Sequence, residues 1–225
     1  MWVFATHSVH VTELPQRSNN QNTASFSGDS FLSSNNPKPA LTLFEAENYE
    51  LQLRSMQLED ASAFIPFFTN YDSVKYYRTQ QICAPDDVDA IIANYCKYNH
   101  RFDIKCHCWT VLFNEKIAGF VLTLDYPHHE SEADQHRIRI GYGLIPAFSN
   151  KGITSRAAQL VVNELDQKLP CELFTTVHPD NAASACILTK LGFKKDPDRQ
   201  QVQKRFAASN ETFIRNYFVR DYLGR

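Results

Sequence analysis

The stretch from His136 to Val177 constrains the fold most, because it reads as a strand, a helix and a second strand. It opens with HRIRIGYGLI, in which polar and apolar residues alternate as they do in a half-buried strand. The helix that follows ends before Pro170 and has an apolar residue at every fourth position, at Ile153, Ala157, Val161 and Leu165. The next segment is CELFTTV, which is too short and too β-branched for another helix. This order predicts a parallel βαβ unit with a right-handed connection.

Glycines interrupt this unit where a ligand could approach the backbone. Gly141 and Gly143 weaken the alternation of the first strand, which predicts a bulge or a splay there. Gly152 lies where the strand passes into the helix, and a helix N-terminus offers unpaired N–H groups and a positive dipole end to an anion. The same glycine could instead serve only a tight turn. From this stretch alone, the anion site and the tight turn are equally good interpretations.

Signals on either side of this unit add further strands and helices. Strands are predicted in YELQLRSM, in the two arms of the hairpin CWTVLFNEKIAGFVLTL, and in ETFIRNYFVRDYL, which we interpret as the closing strand. Helices are predicted in LEDASAFIPFF with Asp60 as N-cap, in CAPDDVDAIIANYCKY, and in HPDNAASACILTKLGF, which Gly192 ends in the left-handed conformation. We therefore expect an α/β fold, with a mixed central sheet of about six to seven strands and helices on both faces.

Residues 1–40 are unlike the rest of the chain. Most of this stretch is PQRSNNQNTASFSGDSFLSSNNPKP, which is rich in Ser and Asn and has few branched apolar residues to bury. We interpret residues 1–40 as a flexible leader and residues 41–225 as one folded domain. The first eleven residues, MWVFATHSVHV, are more apolar, and their docking as a strand or on a partner is the alternative.

Composition excludes several classes of partner. The formal net charge is −2, from 23 Lys and Arg against 25 Asp and Glu, so no general attraction to DNA or to anionic membranes is expected. No apolar run approaches the roughly 18 residues that cross a bilayer, and the first eleven residues lack the basic start of a signal peptide. We therefore expect a cytoplasmic protein with no membrane partner.

The cysteines predict free thiols rather than a metal site. Six cysteines spread through a mid-sized chain are typical of a reducing compartment. Five potential metal ligands lie near one another in the sequence: Cys96, His100, Cys106, His107 and Cys108. They lack the paired Cys-x-x-Cys spacing of a structural zinc site, so we expect no metal.

Two common phosphate-binding motifs are absent, but two segments of the sequence resemble the cofactor-binding blocks of a known family. NKGITS lacks the order of a P-loop, and GYGLIP has Pro146 where a dinucleotide-binding loop needs its third glycine. Together, IGYGLIPAFSNKGITSRAAQLVV and HPDNAASACILTKLGF resemble the two cofactor blocks of the GNAT superfamily of acyl-CoA-dependent N-acyltransferases. The likeness is strongest to the RimJ/RimL-like branch and extends from Leu51 to about Leu223.

The resemblance implies a cofactor site at parallel strands that splay apart. It implies that main-chain groups of Leu144 and Ile145 meet the pantetheine arm, that residues 150–154 surround the pyrophosphate, and that Asn181 and Ser184 flank the thioester. The implied cofactor-binding residues are Leu144, Ile145, Ser149, Asn150, Lys151, Gly152, Ile153, Thr154, Asn181, Ser184 and Lys190. The family loop usually reads [Q/R]-x-x-G-x-[G/A], so Ser149 and Thr154 depart from it while Gly152 is kept.

The resemblance also implies catalytic candidates, with alternatives left open. Ser184 would protonate the departing thiolate, or it is a helix-face hydroxyl bonded to the carbonyl one turn back. His178 is the candidate general base. Arg139 stands where the family often has a glutamate, and Leu188 stands where it often has a tyrosine. The other candidate bases are Tyr142, Asp125, Glu130 and the pair His128 and His129.

The expected function is therefore acetyl-CoA-dependent N-acetyl transfer, made directly to an amine and without a metal. The amine would belong to a small molecule or to a protein N-terminus, and a homodimer is possible. The alternative is a noncatalytic acyl-CoA-binding or protein-interaction module on the same fold, favoured by the substitutions at Arg139 and in the loop.

Deletion of Met1 to Pro39 tests the predicted leader. Because the composition of this segment gives it little to bury, we expect the truncated chain to keep its melting temperature and its CoA binding. Thermal unfolding with and without acetyl-CoA measures both properties. A large loss of stability would show that the segment is structural, with MWVFATHSVHV as the part responsible.

Overall fold

A mixed sheet with helices on both faces forms the fold in the computed structural model. The structure describes residues 41–45, 49–77, 82–99, 104, 106–126, 136–168, 170–204 and 212–221. The described strands are β1 Leu41–Glu45, β2 Tyr49–Ser55, β3 His107–Phe113, β4 Lys116–Tyr126, β5 His136–Leu144, β6 Cys171–Val177, β7 Lys194–Lys204 and β8 Thr212–Arg220. The described helices are α1 Ala61–Phe68, α2 Tyr71–Val74, α3 Val88–Tyr98, α4 Ile153–Lys168 and α5 Ala182–Lys190.

The sheet order is β1-β2-β3-β4-β5-β6-β8-β7, and every described neighbour pair is antiparallel except β5 with β6. The mixed sheet is confirmed, with two edge strands that the sequence did not predict, β1 and β7. Strand β7 is KKDPDRQQVQK, which has no apolar alternation, and its register with β8 shifts between Asp196 and Gln200. The predicted closing strand is β8, which lies between β6 and β7 rather than at the edge.

Strands β5 and β6 separate part-way along their length. Their parallel pairing covers His136–Arg139 against Cys171–Phe174, and the described ladder goes no further. The predicted splay is therefore confirmed. The predicted bulge is not found, because β5 keeps an unbroken register with β4 from Arg137 to Leu144.

The two faces of the sheet have separate apolar layers. One layer packs against α4, which contacts β2, β4 and β5, and all four predicted helix positions from Ile153 to Leu165 are fully buried there. On the opposite face, Phe120 of β4 contacts the rings of Phe64 and Phe67 from α1. Gly143 is required by this second layer, since a Cβ atom there would lie 2.5 Å from the Phe120 ring and 2.8 Å from the Phe67 ring.

Several local signals are confirmed by the backbone. The hairpin between β3 and β4 turns at Asn114 and Glu115, both of which have positive φ angles. Gly192 has a φ of 83° just after α5, and the Phe193 N–H donates to the Leu188 carbonyl at 3.0 Å, as expected of a left-handed helix terminus. No helix in the described part of the chain combines the length and the apolar character needed to span a membrane.

Asp60 has a different role from the predicted helix cap. Its carboxylate makes no capping bond to α1 and is instead 3% exposed, where it pairs with the Arg54 guanidinium at 2.8 Å. It also accepts a hydrogen bond from the Thr110 hydroxyl at 2.7 Å and one from the Gln57 N–H at 3.0 Å. Burial alone would raise the pKa of Asp60, but the hydrogen bonds from Arg54 and Thr110 outweigh burial and lower it. The carboxylate therefore joins β2, β3 and the start of α1.

The substitution Asp60→Asn tests this connection. Because it leaves a partly buried Arg54 without its charge partner, we expect a loss of about 3 kcal/mol in the free energy of unfolding at pH 7. A carboxyl with a lowered folded-state pKa stabilises the protein above its ordinary pKa of about 4, and that stabilisation disappears as the pH falls through the folded-state value. Urea unfolding between pH 3 and 7 should show the gap between wild type and variant closing below about pH 4. A pH-independent gap would contradict the account.

Candidate cofactor and active site

Two helix N-termini meet at the edge of the sheet where β5 and β6 separate. Since β5 and β6 are parallel, their carboxyl ends point to the same edge, and each is followed by a helix, α4 and α5 respectively. In open α/β sheets this position, where neighbouring strands diverge, is the usual place for a ligand. The hydroxyl of Tyr142 on β5 lies 2.9 Å from that of Ser184 on α5, so the two halves of the edge are in contact.

The loop before α4 presents backbone donors to this edge. It contains a 3₁₀ turn at Pro146–Phe148, followed by residues 149–152, all of which are exposed. The first hydrogen bond of the helix runs from the Arg156 N–H to the Gly152 carbonyl at 3.2 Å. The N–H groups of residues 153–155 therefore precede the helical ladder and have no intrahelical acceptor. Such a loop can bind an anion with its main chain.

The backbone of Gly152 suits a tight turn, and the space beside it leaves room for an anion. Its φ of 69° lies in the left-handed region, so the turn itself favours glycine. A Cβ atom built on Gly152 would meet nothing within 4 Å, which shows that the space in front of the loop is open. Asn150, two residues earlier, also has a left-handed φ of 63°.

The other predicted cofactor residues form two groups, and Lys190 lies apart from both. Leu144, Ile145 and the residues from Ser149 to Thr154 lie along the segment that runs from the end of β5 to the first turn of α4. In this segment the Lys151 ammonium lies 5.6 Å from the centre of the Phe148 ring. Asn181 and Ser184 lie at the start of α5. Lys190 lies at the other end of α5, six residues or about 9 Å along the helix axis from Ser184, so it is not brought to the gap between the strands.

Asn181 is the N-cap of α5. Its side-chain Oδ1 accepts a hydrogen bond from the Ser184 N–H at 3.1 Å, which satisfies one of the unpaired donors of the first turn. The Asn181 carbonyl also starts the helical ladder, since it accepts from the Ala185 N–H at 3.1 Å. This residue therefore fixes where Ser184 lies.

The Ser184 hydroxyl points across to β5 rather than back along its own helix. In addition to the hydroxyl contact, the Tyr142 hydroxyl lies 3.2 Å from the Ser184 carbonyl, to which it can donate. Thr189 on the same helix shows the other behaviour, because its hydroxyl donates to the Ala185 carbonyl one turn back at 3.0 Å. The two hydroxyls of α5 are thus in different environments.

Tyr142 is held as a protonated phenol. Burial raises its pKa to about 12, and the hydrogen bond with Ser184 opposes that rise only in part. A phenol with this pKa is a proton donor at neutral pH and a poor general base. The sequence named Tyr142 only as an alternative base, because nothing in the local pattern indicated its contact with a residue 42 positions away.

A match to a known family decides what kind of protein carries this site. Residues 50–194 match the model of a family described as the acetyltransferase (GNAT) domain. The chain belongs to the GNAT acetyltransferase family. The matched range contains β5, α4, β6 and α5, and so includes every predicted cofactor-binding and catalytic residue.

Solved structures share the fold of this GNAT protein. RimL, a ribosomal L7/L12 alpha-N-protein acetyltransferase in complex with coenzyme A, is 15% identical, with 76% of this chain and 93% of that chain covered and a TM-score of 0.59. MccE, the microcin C7 self-immunity acetyltransferase in complex with acetyl-CoA and AMP, is 19% identical, with 76% and 92% covered and a TM-score of 0.58. The ribosomal-protein-S5-alanine acetyltransferase of Vibrio fischeri is 19% identical, with 80% and 96% covered and a TM-score of 0.57. No curated protein matches the chain.

The candidate general bases of this GNAT protein differ in their positions and contacts. His178 follows β6, and its ring lies 5.1 Å from that of Tyr76. Its Nδ1 accepts a hydrogen bond from the Asp180 N–H at 3.2 Å, which puts the proton of the neutral ring on Nε2. Asp125 pairs in register with Ile138, four residues or about 13 Å along β5 from Tyr142, and is therefore remote from Ser184. The candidates His128, His129 and Glu130 lie outside the described residues.

Described side chains of the cysteine and histidine cluster contact other parts of the protein. None of the six cysteines forms a disulfide. Among the described residues, no group of three or more His, Cys, Asp or Glu side chains could hold a metal ion. From the cluster considered in the sequence, Cys96 donates to the Met56 carbonyl at 3.4 Å and His107 contacts the Ser55 hydroxyl at 3.0 Å, while His100 lies outside the described residues.

Two variants at Gly152 that match in size and differ in charge test the anion site. Gly152→Glu and Gly152→Gln place side chains of the same size on the same left-handed backbone, and only the first adds a negative charge. If the loop binds pyrophosphate, Glu should weaken CoA binding at least about tenfold more than Gln. Wild type should gain about 2.7 kcal/mol of stability at a CoA concentration of a hundred times Kd, and Gly152→Glu should lose that gain. Equal CoA affinities for the two variants, measured by calorimetry, would remove the pyrophosphate from this loop.

Proposed function

We propose that this GNAT protein is an acetyl-CoA-dependent N-acetyltransferase that transfers the acetyl group directly to an amine. The observation that carries the proposal is the gap between β5 and β6, bordered by two helix N-termini and by the hydroxyls of Tyr142 and Ser184. The gap supplies open main chain to a linear ligand, and the loop before α4 supplies donors to an anionic group at its end. A molecule with a pyrophosphate, an extended arm and a reactive thioester matches that arrangement.

The proposed cofactor position follows from the order of the elements. The pyrophosphate would lie at residues 150–154, the pantetheine arm along Leu144 and Ile145, and the thioester beside Ser184. Two proteins that share the fold were solved with coenzyme A or acetyl-CoA, which supports the same ligand class here. Acetyl-CoA, when bound, would supply a thioester whose carbonyl carbon is attacked by the amine while the bond to sulfur breaks.

In the proposed chemistry, one side chain of this protein donates a proton and another accepts one. The Ser184 hydroxyl would donate a proton to the departing thiolate, and Tyr142, which is protonated at neutral pH, would hold that hydroxyl in place. A base must take the proton from the ammonium form of the acceptor, so that the neutral amine can attack. His178 remains the proposed base, and it can act through Nε2 only after its proton moves to Nδ1 and the bond from Asp180 is given up.

A second function is favoured by the residues that differ from the family pattern. Arg139, Ser149 and Thr154 stand at positions where a noncatalytic acyl-CoA-binding or protein-interaction module would tolerate change. Thiol release measured with a panel of amines separates the two functions. Release of CoA that depends on the amine supports the enzyme, whereas CoA binding without release supports the module.

The biological setting of the reaction is proposed on the same basis. The acceptor would be a small amine or a protein N-terminus, the compartment the cytoplasm, and the assembly a monomer or a homodimer. Two of the fold neighbours act on ribosomal proteins according to their names, which motivates protein N-termini as the first acceptors to test. No DNA or membrane partner is proposed.

Ser184→Ala tests the proposed proton donor, with Thr189→Ala as its matched control on the same helix. Removal of a general acid should lower kcat and kcat/KM together by on the order of 10²-fold and leave CoA affinity nearly unchanged. The Thr189 hydroxyl bonds only to its own helix, so its loss should leave kcat/KM within about twofold. Steady-state kinetics of thiol release measure both. A loss below about threefold in Ser184→Ala would return Ser184 to a structural role.

Tyr142→Phe completes the test of the hydroxyl pair. The ring and its packing remain, and only the contact with Ser184 is removed. If Tyr142 acts through Ser184, we expect a loss of about tenfold in kcat, and no additional loss when the change is combined with Ser184→Ala. Losses that multiply in the double variant would show that the two hydroxyls act separately.

A further inference from the structure

Arg139 lies at the point where the parallel pairing ends, and no residue that the structure describes is its charge partner. It pairs in register with Phe174, which is the last step of the ladder between β5 and β6. Among the described residues, the half-buried Arg139 side chain makes no hydrogen bond and no ion pair. Arg137, two positions earlier on the same strand, contrasts with it. Arg137 donates to Glu172 at 2.9 Å and to the Tyr217 hydroxyl, and its guanidinium lies 4.8 Å from the centre of the Phe174 ring.

Strand alternation places Arg139 on the face of the sheet opposite α4. Its neighbours Ile138 and Ile140 are fully buried in the layer that packs against α4, so Arg139 points to the other side. The next two positions of β5 on that side are Gly141 and Gly143. Arg139 is therefore the last side chain that this face of β5 presents before the open part of the gap.

The surroundings of Arg139 are aromatic and cationic. Burial raises the pKa of Tyr77 well above its ordinary value. The charge of Arg139 lies close enough to Tyr77 to oppose that rise. Arg215 is 7% exposed and donates to the carbonyls of Tyr76 and Thr176, both at 3.2 Å. Tyr76 in turn contacts the His178 ring, so this face of the gap is bordered by residues of β5, β6, β8 and the turn after α2.

Glu172 on β6, which lies two residues before the strand partner of Arg139, does not neutralise Arg139. Glu172 on β6 accepts from Arg137 at 2.9 Å and from Arg199 at 3.3 Å, and so already faces two cations. Arg139 is half-buried as a residue and has no charge partner among the described residues, so its guanidinium is available to a ligand. Its planar fork of N–H donors fits a carboxylate with two parallel hydrogen bonds.

We infer that Arg139 binds a carboxylate of the acceptor and so selects amines that carry a negative charge. This inference rests on the proposed function, since it places the acceptor on the face of the gap opposite α4 and α5. Three residues, or about 10 Å along β5, separate Arg139 from Tyr142, a distance that the arginine side chain and a short acceptor can bridge together. The acceptor class is therefore an amine with a carboxylate a few bonds away, as in an amino acid or a short peptide.

Acceptor pairs that differ only in charge test the inference. Glycine, β-alanine and Gly-Gly are each compared with the corresponding carboxamide, and CoA thiol release gives kcat/KM for both members of each pair. The variants are Arg139→Gln, Arg139→Lys, which keeps a charge, and Lys116→Gln, which removes an exposed charge at the β3–β4 hairpin. The carboxamides have less basic amines, but this difference cancels when the acid-to-amide ratio of a variant is divided by that of wild type.

The expected result is a fall of at least about tenfold in the acid-to-amide ratio in Arg139→Gln, with a smaller fall in Arg139→Lys and none in Lys116→Gln. CoA binding, measured by the thermal shift, should remain in all three variants. Amine-dependent release with the same ratio in wild type and Arg139→Gln would overturn the inference alone. Absence of release from wild type with these acceptors and with the amine panel used to test the proposed function would overturn that function, and the inference with it. If Arg139→Gln does not fold, the acid-to-amide ratio of wild type is calculated per unprotonated amine, which removes the difference in basicity, and a preference for the amide in all three pairs then contradicts the inference.

Discussion

The separation of β5 and β6 is the constraint on which the rest of this structure depends. Backbone N–H and C=O groups need partners, and two strands can part only if each keeps another neighbour. Here β5 keeps β4 along its length from Arg137 to Leu144, and β6 keeps β8 from Leu173 to Val177. The outer edges of both strands are therefore satisfied, while the inner edges beyond Arg139 and Phe174 face each other across a gap. This arrangement makes main-chain groups available to a ligand without exposing the edge of the sheet.

Side chains from distant parts of the chain hold the gap in shape. Arg220 on β8 forms two hydrogen bonds with Asp166 on α4, at 2.9 and 2.7 Å, and so ties the strand beside β6 to the helix that follows β5. Tyr142 and Ser184 connect β5 to α5 at the open end. These contacts surround the gap, and under the proposed function they would hold it in a shape that positions a thioester and an amine.

The sequence predicts those parts of the structure that depend on local periodicity. The four-residue spacing of α4, the β-branched composition of β6 and the glycine at 152 were sufficient for the parallel unit and the loop at its end, while Gly141 and Gly143 indicated its splay. Strand β7 was missed because it is polar and lies at an edge, where pairing with β8 replaces burial. Asp60 was assigned to a helix cap because its actual partner Thr110 is 50 residues away. The contact between Tyr142 and Ser184 was missed for the same reason, since contacts between distant residues produce no local pattern in the sequence.

A crystal structure of the protein with CoA tests the central claim most directly. The account predicts that the pantetheine arm lies between β5 and β6, hydrogen-bonded to main-chain groups of Leu144 or Ile145, with the pyrophosphate on the N–H groups at the start of α4. It also predicts that the sulfur lies beside the Ser184 hydroxyl. Coenzyme A bound elsewhere on the chain, or strands β5 and β6 paired along their full length with the ligand outside them, would contradict it.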